Sequence, residues 1–512
     1  MMGIEKPAQN KLFYTDFNLE LRVRQNHPLR KIAKIIDFNF AYETVANNYG
    51  HNGNESVPPP VLLKLMLLLV FYNVRSEREL MTTLPERLDW LWFLGYDLDS
   101  LIPNHSVLSK ARTRWGAKVF QSFFERIVFQ CVEAGLVDGN KIFMDSSLIE
   151  ANASRNSVVD TQSLKRHLNV RYKELESRLD EIQEKEKDRP HRTMNNRYVS
   201  TTDPEAGIAG ARAPRLYYKT HRAVEERSEI ITAVEITAGD VDEGQRLESL
   251  WEAHTKNTEI KATTVVADSK YGTINNYLFC HDKNIEAHMP DLKTKGEKMK
   301  NKKKDKNNEM KIFPETLFKY NSETDTYTCP GNKILKKRNL HISRSSIDYA
   351  AKKKDCFSCD LRSQCTKSKT GRTIKRHLKQ DVIDKMRDKA QAFKAKNDIR
   401  KRQHLMERTF AHATRYRFDH ARWRGLTRVS IQELLVCSVQ NILGLIKPKI
   451  KPKQVAAMAV KQEIYEIKSH LPRKTNKING YLAKGTMNFG NYVQYLILPR
   501  KNLVISALSS YR

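Results

Sequence analysis

The sequence predicts an α/β protein in which a mixed sheet follows one helical region and precedes another. Three observations lead to this prediction. Apolar residues recur at helical spacing through residues 1–135, alternating and β-branched runs begin at residue 136, and helical spacing returns from residue 371. A chain of 512 residues is long enough for about two to four domains with cores of their own.

The N-terminal region, 1–135, is predicted to be a helical domain that contacts DNA. Its most apolar run, "VLLKLMLLLVFYNV", follows three prolines, contains Lys64 and is shorter than a membrane span, so a buried helix is expected. Further along, "PNHS" has the composition of an N-cap and opens a helix with Lys110, Arg112 and Arg114. A helix, a turn and a basic helix are compatible with a DNA-reading unit and also with any small helical domain.

Residues 136–292 are predicted to form the first part of a sheet-containing core. The segment "NKIFMDSSLIEAN" indicates a strand that carries Asp145, and "RLYYKTHRAVEERSEIITAVEITAGDVD" indicates an antiparallel hairpin. A helix, the strand "ATTVVADSKYG", a second helix and a last strand follow. Asp268 therefore stands at the end of an apolar strand, where ligand and catalytic groups of open α/β sheets gather. An Asp at that position can equally start a turn or cap the next helix.

Two segments interrupt this core, and a basic tail follows it. Within 160–190, apolar side chains spaced by four and three residues suit a helical arm or a short coiled coil, with dimerisation as one use. Residues 293–370 are predicted to be an inserted basic and Cys-rich subdomain, whose lysine-rich start, 293–312, is expected to order on meeting phosphate. Residues 371–446 form the second, helical part of the core, and 447–512 are basic.

The charge balance predicts a polyanionic partner. Lys and Arg number 90 against 59 Asp and Glu, and the net charge of +31 is spread along the chain. Charge alone does not separate DNA from RNA or from an anionic membrane, because phosphate neutralisation carries no sequence information. The first residues lack the apolar segment of a signal peptide, so the expected location is the cytosol.

Three acidic residues are candidates for catalytic metal ligands. Asp145 and Asp268 belong to strands of one predicted sheet, and Glu407 lies on a later helix, in "RKRQHLMERTF". Two or three carboxylates hold a pair of Mg²⁺ ions in two-metal phosphoryl transfer, where the ions clamp the attacking and leaving oxygens. Each acid alone is equally explained as a solvated or capping carboxylate. The ordered set in a basic chain favours metal binding.

Four motifs resemble those of a known enzyme family. In order, "FMDSSLIEANASRNS", "TDPEAG", "VVADSKYG" and "MERTFAHATRYRFDHARWRGL" resemble bacterial insertion-sequence transposases of the DDE type, specifically the group numbered eleven eighty-two in the superfamily numbered four. The resemblance spans residues 55–445. It implies an RNase H-like catalytic core in which Asp145, Asp268 and Glu407 hold Mg²⁺ or Mn²⁺.

The sequence departs from the family pattern at several positions. Lys270 stands where the family commonly has Gly, and the basic residue expected after the Glu is displaced by one, to Arg415. The Tyr and Arg that precede the Glu in the broader signature are not at their usual offsets, although Arg400 and Arg402 lie nearby and are predicted to bind DNA. Glu433, on the following helix, is a second candidate for the third acid.

Four clustered cysteines predict a structural zinc site. They are Cys329 in "TCPGNKIL" and Cys356, Cys359 and Cys365 in "DCFSCDLRSQCTKS". A Cys-x-x-Cys pair spaces two thiolates for tetrahedral Zn²⁺, and two further cysteines complete four ligands. Free thiols are the alternative, because the last spacing is longer than in a regular zinc ribbon. The site lies between the second Asp and the Glu, so it would brace the insertion.

The stretch "TRYRFDHARWRGLTR" interleaves aromatic and basic residues. Tyr416, Phe418 and Trp423 alternate with arginines, which are Arg415, Arg417, Arg422, Arg424 and Arg428. Aromatic rings that stack on bases, flanked by arginines on phosphates, would suit a transposon end. The alternative is that the rings pack in the core and the arginines line its edge.

Together these features predict a DNA transposase that cuts the ends of its element and joins the freed 3′-OH to target DNA. The expected partner is double-stranded DNA, bound by a homodimer, with no membrane association. The competing hypothesis is a catalytically inactive or domesticated DNA-binding protein derived from a transposase. The intact set of three acids favours the enzyme.

Overall fold

The computed structural model describes residues 1–4, 18–160, 198–210, 214–292 and 312–447. Three predicted segments lie outside the described residues, apart from their first or last residue: the helical insertion 160–190, the lysine-rich run 293–312 and the tail 447–512. All elements below belong to the unit Met1–Ile446.

The N-terminal region is helical, as predicted. Its helices are α1 (Leu19–Arg22), α2 (Pro28–Ile35), α3 (Phe40–Val45), α4 (Pro59–Phe71), α5 (Glu77–Thr83), α6 (Leu88–Leu94) and α7 (Ser106–Glu133). Helix α4 is the predicted apolar helix, and it is buried along almost its whole length, which explains why its apolar residues show no single face. Helix α7 is the predicted basic helix and kinks at Gly116, whose φ of 64° suits glycine.

A six-stranded mixed sheet follows. The strands of this part are β1 (Lys141–Glu150), β2 (Val158–Asp160), β3 (Tyr198–Ser200), β4 (Gly207–Ala209), β5 (Arg215–Glu225), β6 (Ile231–Ala238), β7 (Thr264–Val266) and β8 (Glu286–His288). Its helices are α8 (Leu247–Thr258) and α9 (Ile274–Asp282). The six-stranded sheet runs β6-β5-β1-β7-β8, with β4 also on β5, whereas β2 and β3 pair with each other in a sheet of their own. Strand β5 is antiparallel to the three strands it pairs with, whereas β1, β7 and β8 are mutually parallel.

A second sheet occupies the Cys-rich region. Strands β9 (Lys319–Asn321), β10 (Thr326–Thr328), β11 (Ile334–His341), β12 (Ser346–Ala350) and β13 (Thr373–His377) form an antiparallel sheet in the order β13-β12-β11-β10-β9. Between β12 and β13 lie the short helices α10 (Lys353–Phe357) and α11 (Arg362–Cys365). This region was predicted as an insertion, but its strands were not, and it extends seven residues past the predicted boundary at 370.

The last described part is helical, as predicted. Helices α12 (Gln380–Gln391), α13 (Phe393–Thr414) and α14 (Leu426–Ile446) complete it. By length and composition α14 alone among the described helices could cross a membrane, yet it packs against α4, α7 and β6 and is mostly buried. It is therefore the central helix of the core.

The two faces of the sheet bury different cores. Phe143 and Ile149 of β1 pack in the core that contains α4, α7 and α14, whereas Ile142 and Met144 pack in a second core with α8. Because side chains alternate along a strand, Asp145 shares the face of Phe143. The sheet thus directs Asp145 toward the side covered by α13 and α14.

A buried histidine makes the stability of this core depend on pH. His254 on α8 is fully buried between the Thr232 hydroxyl, 2.8 Å away, and the Gly139 carbonyl, 3.1 Å away. Burial lowers the pKa of His254 to about 4. Between about pH 6.5 and 4 the unfolded chain binds a proton that the folded chain refuses, so stability falls with pH by about 3 kcal/mol over that interval.

We expect His254→Gln to flatten this dependence in denaturant unfolding measured between pH 7.5 and 4.5. The exposed His281 supplies the control, and His281→Gln should leave the curve unchanged. Parallel curves for wild type and His254→Gln would contradict the assignment.

Candidate active site and nucleic-acid interface

Asp145 lies in the middle of β1, partly shielded from solvent. Its side chain is 24% exposed, and Oδ2 accepts a hydrogen bond from Arg402 Nη1 at 2.5 Å. Burial raises the pKa of Asp145 above its usual value, and the nearby negative charge of Asp268 adds to that effect, while Arg402 opposes it. The two predicted acids are therefore electrostatic neighbours, and their mutual repulsion favours a cation or proton between them.

The register of the sheet explains this proximity. Strands β1 and β7 are parallel, with Phe143 opposite Val266. Two residues further along are Asp145, still on β1, and Asp268, just past the end of β7, so both acids lie near the same end of this strand pair. Asp268 Oδ1 accepts from the backbone N–H of Lys270 at 2.9 Å, an Asx turn that ends the strand. Asp268 therefore starts a turn, as one of its two interpretations predicts, and its role as a metal ligand stays a prediction.

Basic and polar groups surround the acid pair. Lys270 Nζ lies 2.6 Å from Glu243 Oε1, a carboxylate that also lies 3.5 Å from Lys219. The hydroxyl of Tyr271 is buried and has no hydrogen-bond partner within the described part of the chain. Burial raises the pKa of Tyr271 well above its usual value, as do Glu243, Asp145 and Asp268, so the hydroxyl stays protonated as a donor beside the acids.

The third acid is not in the cluster. Glu407 on α13 is exposed, and its carboxylate accepts from Gln403 of the same helix at 3.1 Å. It lies five residues after Arg402, about 140° further around the helix, so it does not share the face that contacts Asp145. Glu433 on α14 is only 1% exposed and binds Arg222 Nε at 2.7 Å and the Thr220 hydroxyl at 2.8 Å.

The predicted DNA-binding residues of the N-terminal region differ in exposure. Lys110 and Arg114 are exposed on α7, and Arg114 lies over the ring of Tyr49. Arg112 is 4% exposed, forms an ion pair with Glu77 and stacks 3.8 Å from the ring centre of Trp423. Arg112 therefore joins α7 to α5 and to the loop before α14, and offers little charge to solvent.

The aromatic residues of the "TRYRFDHARWRGLTR" stretch pack inside the protein. Phe418 is buried and stacks on Phe410, with Arg222 over both rings. Base stacking, one of two interpretations of this stretch, is therefore wrong for Phe418. Tyr416 and Trp423 are partly buried against the main core. Phe418 thus helps to cover the buried Arg222–Glu433 pair, whereas Trp423 packs on Arg112.

The arginines of this stretch line an open groove beside the N-terminal helices. One cavity of about 500 Å³ and another of about 440 Å³ share Arg75 and Arg422. We call this the arginine groove and define it by Arg75, Arg78, Arg417, Arg422, Arg424 and Arg428. Arg422 also donates to the Val74 carbonyl at 2.6 Å, which ties the groove to the end of α4. Arg400 and Arg415 are exposed on or just after α13 and lie outside this lining.

The four clustered cysteines converge on one small cavity. Cys329, Cys356, Cys359 and Cys365 line it together with Arg362 and Arg372. Cys329 Sγ accepts a hydrogen bond from the Lys333 backbone N–H at 3.3 Å. Burial raises the pKa of Cys365, and the other three cysteines raise it further against the effect of Arg372. As the side chains stand, no three His, Cys, Asp or Glu residues in the described ranges are grouped to hold a metal ion, here or at the acid pair.

Sequence reasoning missed several groups at these sites. Arg75 and Arg78 follow the apolar helix α4 directly in "NVRSERELM", a basic pair that could have been noted. Glu243, Lys219 and Tyr271 gave no separate signal, because they approach the acids only through the pairing of the strands and the turn after β7.

Two segments of the chain match known protein families, one near each end of the described part. Residues 17–114 match the Transposase domain (DUF772), which covers α1 to the first third of α7. Residues 328–446 match the Transposase DDE domain, which covers the cysteine cavity, Glu407 and α14. Asp145 and Asp268 lie between the two matched segments. No curated protein matches the chain.

The matches agree with the resemblance drawn from the motifs, although they do not distinguish one group of insertion sequences from another. A transposase domain before the acid-bearing sheet and a transposase DDE domain after it support an insertion-sequence transposase of the DDE type.

Proposed function

We propose that this transposase cuts the ends of its element and joins the freed 3′-OH to target DNA at the Asp145–Asp268 pair. The observation that carries the proposal is the pair itself, one acid on β1 and one just after the parallel strand β7, whose charges act on each other. The test is a nicking and strand-transfer assay on a labelled duplex that carries the element's end. Competing target DNA in the same reaction reports the joining step.

We infer that the mixed sheet is an RNase H-like core. Its strand order, β6-β5-β1-β7-β8, has an antiparallel hairpin on one side of β1 and parallel strands on the other. The motif resemblance implies such a core, with the first acid on its first, central strand. The position of Asp145 on β1 supports this inference.

Asp145 and Asp268 suit a hard divalent ion, because both donors are carboxylate oxygens and their repulsion is relieved by a cation. Mg²⁺ or Mn²⁺ held there supplies Lewis-acid stabilisation of charge on the phosphate oxygens. Arg402 binds Asp145 and presents the fork geometry that also suits a phosphate, so it is placed to orient a DNA strand brought to the pair. The Tyr271 hydroxyl stays protonated and has no hydrogen-bond partner within the described residues, so it is a donor still available near the acids.

The competing hypothesis, a DNA-binding protein without catalysis, requires only the basic surface. That hypothesis does not explain why Asp145, which is bonded to Arg402, lies near Asp268. Two carboxylates without a cation repel DNA, so a protein that only binds DNA gains nothing from them. We propose that two chains act together, because an insertion sequence has two ends and the described part of each chain carries one such acid pair.

We also propose that the four cysteines hold one structural Zn²⁺. Their convergence on one cavity and the backbone N–H donated to Cys329 are features that suit thiolate ligands. Metal binding requires side-chain rotations that bring the sulfurs together, since no three of them are now grouped to hold an ion. The second sheet has only a small apolar core, around Tyr327, Leu335 and Tyr349. Bound Zn²⁺ would therefore stabilise the fold of this sheet.

The choice of third acid can be decided by two matched substitutions. Only the motif resemblance assigns Glu407 to the site, since the described structure places it away from the acid pair. On that assignment, Glu407→Gln should reduce nicking while leaving stability within about 0.5 kcal/mol, because Glu407 is exposed. We expect Glu433→Gln to destabilise the protein by about 3–5 kcal/mol, because it leaves the fully buried Arg222 without its charge partner. Nicking assays and denaturant unfolding on the same preparations measure both effects.

The opposite result would assign the role of third acid to Glu433. A Glu407→Gln protein that nicks at the wild-type rate, beside a folded Glu433→Gln protein that does not nick, would make Glu433 the third ligand. Gln403→Ala is the control for Glu407, since it removes the neighbouring amide without removing a carboxylate.

A further inference from the structure

The arginine groove joins the two segments that match transposase families. Arg75 and Arg78 come from the N-terminal segment, whereas Arg417, Arg422, Arg424 and Arg428 come from the DDE segment. Arg75 borders both cavities, as does Arg422, so the lining is continuous. A ligand in the groove would therefore contact both segments at once.

The groove is positively charged beyond what its own acids neutralise. Glu77 is paired with Arg112, and Glu150 with Arg215 and His420. Burial, together with the positive charge of Arg417, lowers the pKa of Arg422 to about 10. Arginines that crowd one another in this way are stabilised by an anion between them. Arg75, Arg78 and Arg428 are exposed and free to turn toward such a ligand.

The position of the groove relative to the acids can be read along β1. Asp145 stands on this strand, and Glu150 at the end of the same strand lines the groove. Five strand residues span about 17 Å at 3.3–3.4 Å each. Successive phosphates of one strand of duplex DNA are about 3.4 Å apart along the helix axis, so this separation corresponds to about five nucleotides.

We propose that the arginine groove binds the phosphate backbone of the element's own end, starting about five nucleotides from the cut and continuing to about the eighth, because the lining extends from Glu150 through a second cavity. The inference rests on the proposed function, because Asp145 is taken to mark the cut. A single arginine fork fits a phosphate, and a row of them from two segments fits successive phosphates of one strand. Binding of the DNA end in the groove would therefore require both family-matched segments.

The test is a gel-shift titration on the labelled end, without divalent metal, at several salt concentrations. Arg75→Gln combined with Arg428→Gln should flatten the dependence of log K on log salt by about 1.8, that is, about 0.9 for each lost phosphate contact. On wild-type protein, neutral methylphosphonates at nucleotides five to eight should weaken binding. On the double variant, the same methylphosphonates should weaken binding less, because two of the six groove arginines no longer contribute.

The matched control is Arg338→Gln with Arg344→Gln, two exposed arginines of the second sheet. It removes the same charge elsewhere and should keep the response to methylphosphonates at nucleotides five to eight. Arg75→Lys with Arg428→Lys tests folding and charge together, and should restore most of the slope. An unchanged slope in the Gln variant would overturn the proposal, as would a loss spread evenly over all positions, which would indicate general attraction to DNA or target binding.

Because this titration needs no cleavage, its failure is distinct from failure of the proposed function. A protein that nicks normally with the groove neutralised would keep the transposase mechanism and lose the groove. Methylphosphonate positions coupled to Arg75 and Arg428 in a chain that never nicks would keep the groove and remove the catalytic assignment of the acids.

Discussion

Asp145→Asn and Asp268→Asn are each expected to abolish nicking of a labelled element end while the chain stays bound to that DNA. Each change removes one of two neighbouring carboxylates, so the site loses a metal ligand, and the rate should fall by at least about a hundredfold. Each also removes a negative charge near the DNA backbone. Affinity in a gel shift should therefore hold or rise, and its salt dependence should stay the same.

The matched control is Asp138→Asn. Asp138 is an exposed acid just before β1, at the end of the strand away from the groove, and it should not affect nicking. Asp145→Asn also frees Arg402 from its ion pair, whereas Asp268→Asn does not, so agreement between the two variants separates loss of a metal ligand from release of the arginine. Wild-type nicking by either variant would remove these carboxylates from the catalytic role.

The main strands of the acid-bearing sheet could be predicted in chain order, because each has a sequence pattern that lies within a few residues. Alternation in the β5–β6 hairpin and the short apolar run of β7 are signals within a few residues, and both strands formed where predicted. The proximity of Asp145 and Asp268 was an expectation from strand ends, and the parallel register of β1 and β7 supplies its physical cause. The pair could thus be found from sequence, although its partner Arg402 was predicted only as a DNA ligand.

The second sheet was not predictable in the same way. Strand β11 is almost wholly exposed, and β9 and β10 are three residues long, so these strands lack the apolar alternation from which strands are recognised. They are held by pairing with neighbours and by a small aromatic core around Tyr327 and Tyr349.

The features that local sequence patterns did not predict depend on contacts between residues far apart in the sequence. Arg422 reaches the Val74 carbonyl across 348 residues of sequence, and no local pattern predicts which arginine is used in this way. The same holds for the aromatic stretch, where Phe418 is buried because it covers Arg222, a pairing set by strand β5 and helix α14. Composition identified these residues as basic and aromatic, but their division between surface and interior depends on the assembled core.

The cysteine cavity leads to the second large expected effect, on metal content. Purified protein should carry about one zinc per chain by elemental analysis, and Cys356→Ser with Cys359→Ser should lose it, since two of the four thiolates are removed. Loss of zinc should expose the second sheet to protease between residues 312 and 377, because its own apolar core is small.

The control for the cysteine variants is Cys280→Ala, which removes a buried thiol from α9 and should leave the zinc content unchanged. A chelator should reproduce the protease sensitivity of the double variant in wild-type protein, and added Zn²⁺ should reverse it there but not in the variant. Zinc-free wild-type protein with a protease-resistant second sheet would mean that the four cysteines are free thiols packed around Arg362 and Arg372, and the zinc proposal would be wrong.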